Sequence, residues 1–249
     1  MGKLLKYEFR KTLFVKLILL GLTAVAEVIF LIGVWKNIEE NPMVFLGTVL
    51  LTILAIAGIT FIGIHSMLSL YRDLNTRQSY MLFMTPHSSY SILGAKILEN
   101  GISILLTGLF FGLLAFLDIK ILLREQLTIK MIIDTFHEML KQMDLPIDIS
   151  FRLAMFTLVA ILANWLFTIV SAHLAIILAA AVLAGKRFSG LLSFVLFIAI
   201  NYVCSFLLKK ITANMEVETQ MMATCGICLG FAVIIYLISG WIMEKKLSV

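Results

Sequence analysis

The residues with chemical capacity are few and scattered. Glu27 lies well inside a long apolar run, where an ionised carboxylate costs roughly 2.5–3.5 kcal/mol or more. It must face protein or water, or carry a proton. Either it lines a polar path through the membrane, or it pairs with Asn201, His173 or another polar group across helices. Asn100, Asn164 and Asn201 pose the same choice with a weaker signal. The 4 histidines, His65, His87, His137 and His173, fall in different segments and make no metal-ligand spacing. His173, alone in an apolar run, reads as an inter-helix hydrogen-bonding group before it reads as a proton relay. Cys225 and Cys228 have the Cys-x-x-Cys spacing of redox and metal sites. They stand in an apolar run with no second pair, so packing of small polarizable side chains is the simpler reading. Cys204 has no evident mate. No Gly-x4-Gly-Lys-Ser/Thr loop, His-Glu-x-x-His pair or Gly-x-Ser-x-Gly elbow occurs, which excludes nucleotide hydrolysis, zinc proteolysis and serine hydrolysis by those routes.

Composition explains why these groups are so sparse. The chain is 61% apolar and 14% charged, and its mean hydropathy is +1.04. Soluble domains lie nearer one half apolar and one quarter charged. A soluble fold of 249 residues has too much surface to hide this excess from water, whereas a bilayer removes the constraint. A membrane helix needs about 20 apolar residues to cross about 30 Å of hydrocarbon. Six runs meet that length: Phe14 to Trp35, Val44 to Leu70, Ile92 to Leu117, Phe151 to Leu183, Phe188 to Leu208 and Met221 to Met243. The fourth is over-long, which implies tilt or extension beyond the lipid. The runs are continuous and do not alternate, so helices fit and a β-barrel does not. The expected fold is an all-α integral membrane protein, one domain over residues 1–249, with six transmembrane helices.

The net charge of +5 is distributed by side. Lys3, Lys6, Arg10, Lys11 and Lys16 crowd the N-terminal arm. Arg72, Arg77 and Lys96 belong to the second loop and its flank, Lys186 and Arg187 to the fourth turn, and Lys245 and Lys246 to the tail. The other loops are mixed or acidic, with Glu39, Glu40, Asp134, Glu138, Asp144, Asp148, Glu216 and Glu218. The positive-inside rule then places both termini in the cytoplasm. Nucleic acid is not an expected partner, because the basic residues flank spans and form no single patch. The first apolar run is not a cleavable signal, since Lys36-Asn37-Ile38-Glu39 follows it in place of a small-residue cleavage site.

Two connecting segments carry their own patterns. Residues 3–14 suit a short interfacial helix, with Leu4, Leu5, Phe9 and Leu13 toward membrane lipids and Lys3, Lys6, Arg10 and Lys11 near anionic head groups. Lys6, Phe9 and Arg10 are the residues expected to matter most there; the plainer reading is topology-setting charge. In the external loop, residues 118–150, Ile129, Ile132, Ile133, Phe136, Leu140 and Met143 recur at helical spacing until Pro146. This amphipathic helix either caps the outer mouth of a pore or is a packing element.

The second loop, residues 72–86, is the most informative. A short helix is expected over residues 76–84, ended by Pro86. Ser88 or Ser89 then caps the third span. Tyr80, Phe83 and Met84 on a cytoplasmic helix expose apolar surface, which points to a protein partner, unless the helix packs on its own spans.

Thr85-Pro86-His87-Ser88 and the following Ile92-Leu93-Gly94-Ala95-Lys96 resemble the segment after the coupling helix in ABC-2-type exporter permeases. Six spans, a basic N-terminal arm and short cytoplasmic loops are similar to that family over essentially the whole chain. The resemblance implies a permease subunit that pairs with a second copy or paralogue and docks on a separate ATP-binding cassette ATPase. It would assign ATPase docking to Asn75, Arg77, Tyr80, Met81, Phe83 and Met84, with residues 3–14 as a second contact. No cofactor is then expected in this chain, because ATP and Mg belong to the ATPase. The size and loop style are similar to small bacterial permeases that export amphipathic or toxin peptides, or give immunity to them, in the cytoplasmic membrane. The 13 methionines suit adaptable apolar surfaces but are also ordinary span filler. Glu27, His173 and Asn201 are the candidates for a substrate path. A lipid or glycolipid exporter is the alternative within the class; an intramembrane enzyme and a non-transport scaffold or sensor subunit are the alternatives outside it.

Overall fold

The computed structural model describes residues 2–36, 42–75, 88–123, 151–183, 188–213, 215 and 217–247. Six long helices account for nearly all of them: α1 Gly2–Lys36, α2 Pro42–Asn75, α3 Ser89–Leu123, α4 Phe151–Leu183, α5 Ser189–Thr212 and α6 Val217–Ile242. A π-helical turn, Met243–Leu247, continues α6. Each of the six is long and apolar enough to cross a membrane. Apolar side chains cover their outer faces, among them Phe45, Ile56, Leu109 and Phe194. Such a surface is costly in water and natural in lipid.

Three helices run past the expected span ends. Residues 3–14 form no separate helix; they are the first turns of α1, which continues unbroken to Lys36. Arg72–Asn75, expected in the second loop, are the last residues of α2. Asp118, expected at the start of the external loop, lies within α3. In the first two cases polar side chains that hydropathy assigns to a loop have hydrogen-bonded partners within the first unit. The expected helices over 76–84 and over 129–143 lie outside the described residues.

The chain divides into two compact units. The first comprises residues 1–12, 63–102 and 155–249. Its core joins Leu70 and Leu74 of α2, Ile92, Leu93 and Ile97 of α3, Phe167, Val170, Leu174 and Ile177 of α4, and Cys228, Ala232 and Ile235 of α6. The long helix α4 is its centre. Ala172, Ala175, Ala179 and Ala180 are all buried, because small side chains let neighbouring helices approach from several directions. A helix apolar on every side belongs in the middle of a bundle.

The second unit comprises residues 13–62 and 103–154. Ala26, Phe30 and Val34 of α1 meet Leu51 of α2, with Leu114 and Leu122 of α3 packed against them. Gly47 makes this possible: a Cβ there would fall 2.7 Å from the Cα of Phe30. The α1–α2 hairpin closes over that glycine.

Candidate functional site

The first unit withdraws a set of charges from solvent. Glu8 and Thr12 share one face of α1 at a spacing of one turn, with Lys11 beside them. Ser69 and Asp73 do the same on α2, and Lys96, Glu99 and Asn100 lie on α3. Lys96 is only 2% exposed. Its Nζ lies 2.6 Å from Asp73 Oδ2 and 2.8 Å from Glu8 Oε1, and it donates a third bond to Ser69 Oγ at 3.4 Å. An ammonium has three donors, so Lys96 is fully used. The second oxygen of Asp73 accepts from Lys11 Nζ at 2.7 Å. Thr12 Oγ1 donates to Glu99 Oε1 at 2.7 Å. Asp73 therefore bridges two lysines from two different helices. The network ties the start of α1, the end of α2 and the start of α3 into one unit.

Further polar contacts hold the same two helix ends. Asn75, the last residue of α2, accepts a hydrogen bond from Ser189 Oγ of α5 at 2.9 Å. Its amide donates to the Tyr71 carbonyl at 3.2 Å. Across the loop, Ser88 caps α3, its Oγ accepting from the backbone N–H of Ser91 at 3.3 Å. Tyr90 lies on α6. Tyr236 donates its hydroxyl to the Tyr90 carbonyl at 2.8 Å, and the two rings meet edge-on at 6.1 Å. Gly240 admits the Tyr90 ring, because a Cβ there would run into it. Residues 76–87 are thus bracketed by α2 and α3 ends that are bonded to α1, α5 and α6.

Several expectations need correction. Lys96, read as a loop-flank charge, is a buried partner of Asp73. Lys11, assigned to lipid head groups, pairs with Asp73. Leu4, assigned to lipid, packs against the core of the first unit. Lys6 and Arg10 are exposed and Phe9 is half-buried. Arg77, Tyr80, Met81, Phe83 and Met84 lie outside the described residues.

The candidate path residues fall in different places. Asn201 donates to Ser171 Oγ at 3.1 Å and to the Phe197 carbonyl at 2.9 Å. His173 is fully buried, and neither ring nitrogen has a hydrogen-bond partner among the described residues. Both belong to the first unit. Glu27 belongs to the second, where its carboxyl group faces that of Asp118 of α3 closely enough for direct interaction. The packing of α3 on α1 places it there, since Leu114 and Leu122 flank Asp118 by one turn on each side and touch the Ala26–Phe30–Val34 cluster. Two ionised carboxylates side by side in an apolar setting repel, so such a pair suits a shared proton or cation. Asp118 escaped the sequence reading because it closes a span and resembles a loop charge. Cys204, Cys225 and Cys228 are free thiols, with Cys228 in the core. Among the described residues no group of three or more His, Cys, Asp or Glu side chains is placed to hold a metal ion.

Comparison of the chain with family models, with curated proteins and with solved structures finds no match. The class that the fold defines is that of a multi-pass helical membrane protein with six candidate spans.

Proposed function

We propose that this chain is the permease subunit of an ATP-driven exporter in a bacterial cytoplasmic membrane, with both termini in the cytoplasm. A separate ATPase subunit supplies ATP and Mg, and amphipathic or toxin peptides are the cargo. The observation that carries this reading is the bracketing of residues 76–87. A loop that receives force from a partner must pass it into the membrane without yielding at its roots. Both roots here are fixed by short, buried or part-buried polar bonds to other helices. Movement of the loop would then turn several helix ends together, as rigid bodies. The apolar side chains Tyr80, Phe83 and Met84 would seat in the ATPase, with Arg72 and Arg77 orienting them. On this reading Glu27, with Asp118, is the polar feature of the substrate path.

The test is co-purification of the ATPase with the full chain in mild detergent, followed by transport in proteoliposomes. Replacing Tyr80 and Phe83 together by Ala should weaken ATPase binding or uncouple hydrolysis from transport, with insertion unchanged. Full transport by the chain alone, or an unaffected double variant, would refute the mechanism.

A further inference from the structure

A cleft of about 270 Å³ lies within the first unit, walled by Gly94 and Leu98 of α3, Val170 of α4, and Ala232, Val233 and Tyr236 of α6. Leu98 and Val233 are exposed and mark its mouth. Every side chain that lines it is apolar except for one hydroxyl, and Tyr236 donates that hydroxyl to the Tyr90 carbonyl. A polar ligand would find no side-chain partner there. One helical turn, about 10 Å across and about 5.4 Å tall, needs more room than the cleft has, so a helix does not fill it. A single hydrocarbon chain fits. From the mouth, Val233, Leu237 and Trp241 stand one turn apart along α6, all exposed. This apolar lane ends at Lys245, whose Nζ lies 4.9 Å from the centre of the Trp241 ring. Lys245 and Lys246 are exposed, and neither has an ion-pair partner among the described residues. The adjacent Glu244 already has a contact of its own.

We infer that the cleft and lane bind one anionic phospholipid of the surrounding bilayer, with an acyl chain in the cleft and the phosphate beside Lys245. Depth supports the match. Tyr236 and Lys245 are about 13 Å apart along the helix, and one leaflet of hydrocarbon is about 15 Å thick. With Lys245 at head-group level, the cleft therefore lies among the acyl chains of that same leaflet. Trp241 stands between them, where aromatic rings favour the membrane interface. Charge selects the head group: two lysines without carboxylate partners attract net negative lipid, whereas a zwitterionic head group carries its own cation. The bound chain would brace α3 against α6 next to the Tyr90–Gly240 contact. This lipid is a resident part of the protein and not cargo. The inference rests on the six-span architecture and is independent of the exporter reading.

The experiment uses the full chain in phosphatidylcholine vesicles, with Trp35 and Trp165 replaced by Phe so that Trp241 is the one fluorescent reporter. Lipids brominated on their acyl chains quench a tryptophan that they touch. Brominated phosphatidylglycerol should quench Trp241 with an apparent affinity about fivefold above that of brominated phosphatidylcholine. Lys245→Gln with Lys246→Gln should bring that ratio close to one. Val233→Phe narrows the mouth at an exposed position and leaves both lysines in place; it should lower the ratio as well. Equal quenching by the two lipids in the parent chain overturns the inference. A ratio unchanged by Val233→Phe also overturns it, because surface attraction alone would then explain the preference. Relief of quenching by an added amphipathic peptide would make the cleft a cargo site, and relief at higher protein-to-lipid ratio would give it to a second copy; either result overturns the resident lipid.

Discussion

Lys96 of α3 and Asp73 of α2 meet at 2.6 Å across the roots of the second loop, and both side chains are shielded from solvent. Asp73 also holds Lys11, and Lys96 also holds Glu8. The start of α1 therefore closes the loop's base. Removing one member of such a network leaves an uncompensated buried charge, which is costlier than never having built the pair.

Lys96→Met should accordingly destabilise the chain by about 3–5 kcal/mol. Replacing Lys96, Asp73 and Glu8 together by Met, Asn and Gln should recover part of that loss, since the one charge that then loses its partner, Lys11, is partly exposed to solvent. Thermal unfolding in detergent, followed by size-exclusion chromatography, reads both effects. Equal stability of Lys96→Met and wild type would mean that the network is solvated and weak.

Gly240→Ala should be destabilising by about 1–3 kcal/mol, because its methyl group enters the space of the Tyr90 ring. In a Tyr90→Ala background the same change should cost little. Tyr236→Phe should lose only one hydrogen bond, about 0.5–1.5 kcal/mol. A cycle over Tyr90 and Gly240 tests the contact directly; additive costs would show that the two do not meet.

Glu27→Gln should leave expression and fold intact, since the amide can donate to the neighbouring Asp118 carboxylate while removing one of two adjacent acidic groups. If Glu27 lines the substrate path, substrate-stimulated ATPase activity of the complex changes at constant expression. Loss of expression in Glu27→Gln would instead make the residue structural.

Orientation is open to labelling. Single cysteines at positions 77 and 137, in a chain lacking the native ones, should react with an impermeant thiol reagent only from the cytoplasmic side and only from outside, respectively. This follows from the Lys/Arg distribution. Labelling of position 77 in intact cells contradicts the proposed topology.

Much of the architecture was legible in the sequence. Long apolar runs must become helices wherever backbone groups lack water, so the number and approximate limits of the six helices followed from local composition alone. A serine cap at Ser88 or Ser89 was equally local, because it needs only a hydroxyl just before a helix start; the structure selects Ser88. Helix ends were misplaced at Gly2, Arg72 and Asp118 because hydropathy treats every charge as a reason to leave the membrane. It does not register that Glu8, Asp73 and Lys96 compensate one another across residues far apart in the chain. The pairing of Glu27 with Asp118, and the choice of Asn164 as the outward-facing asparagine while Asn201 turns to Ser171, were likewise decided by helix rotation. Rotation depends on which small residues, such as Gly47 and Gly240, let neighbouring helices close in, and that is settled only when the helices pack.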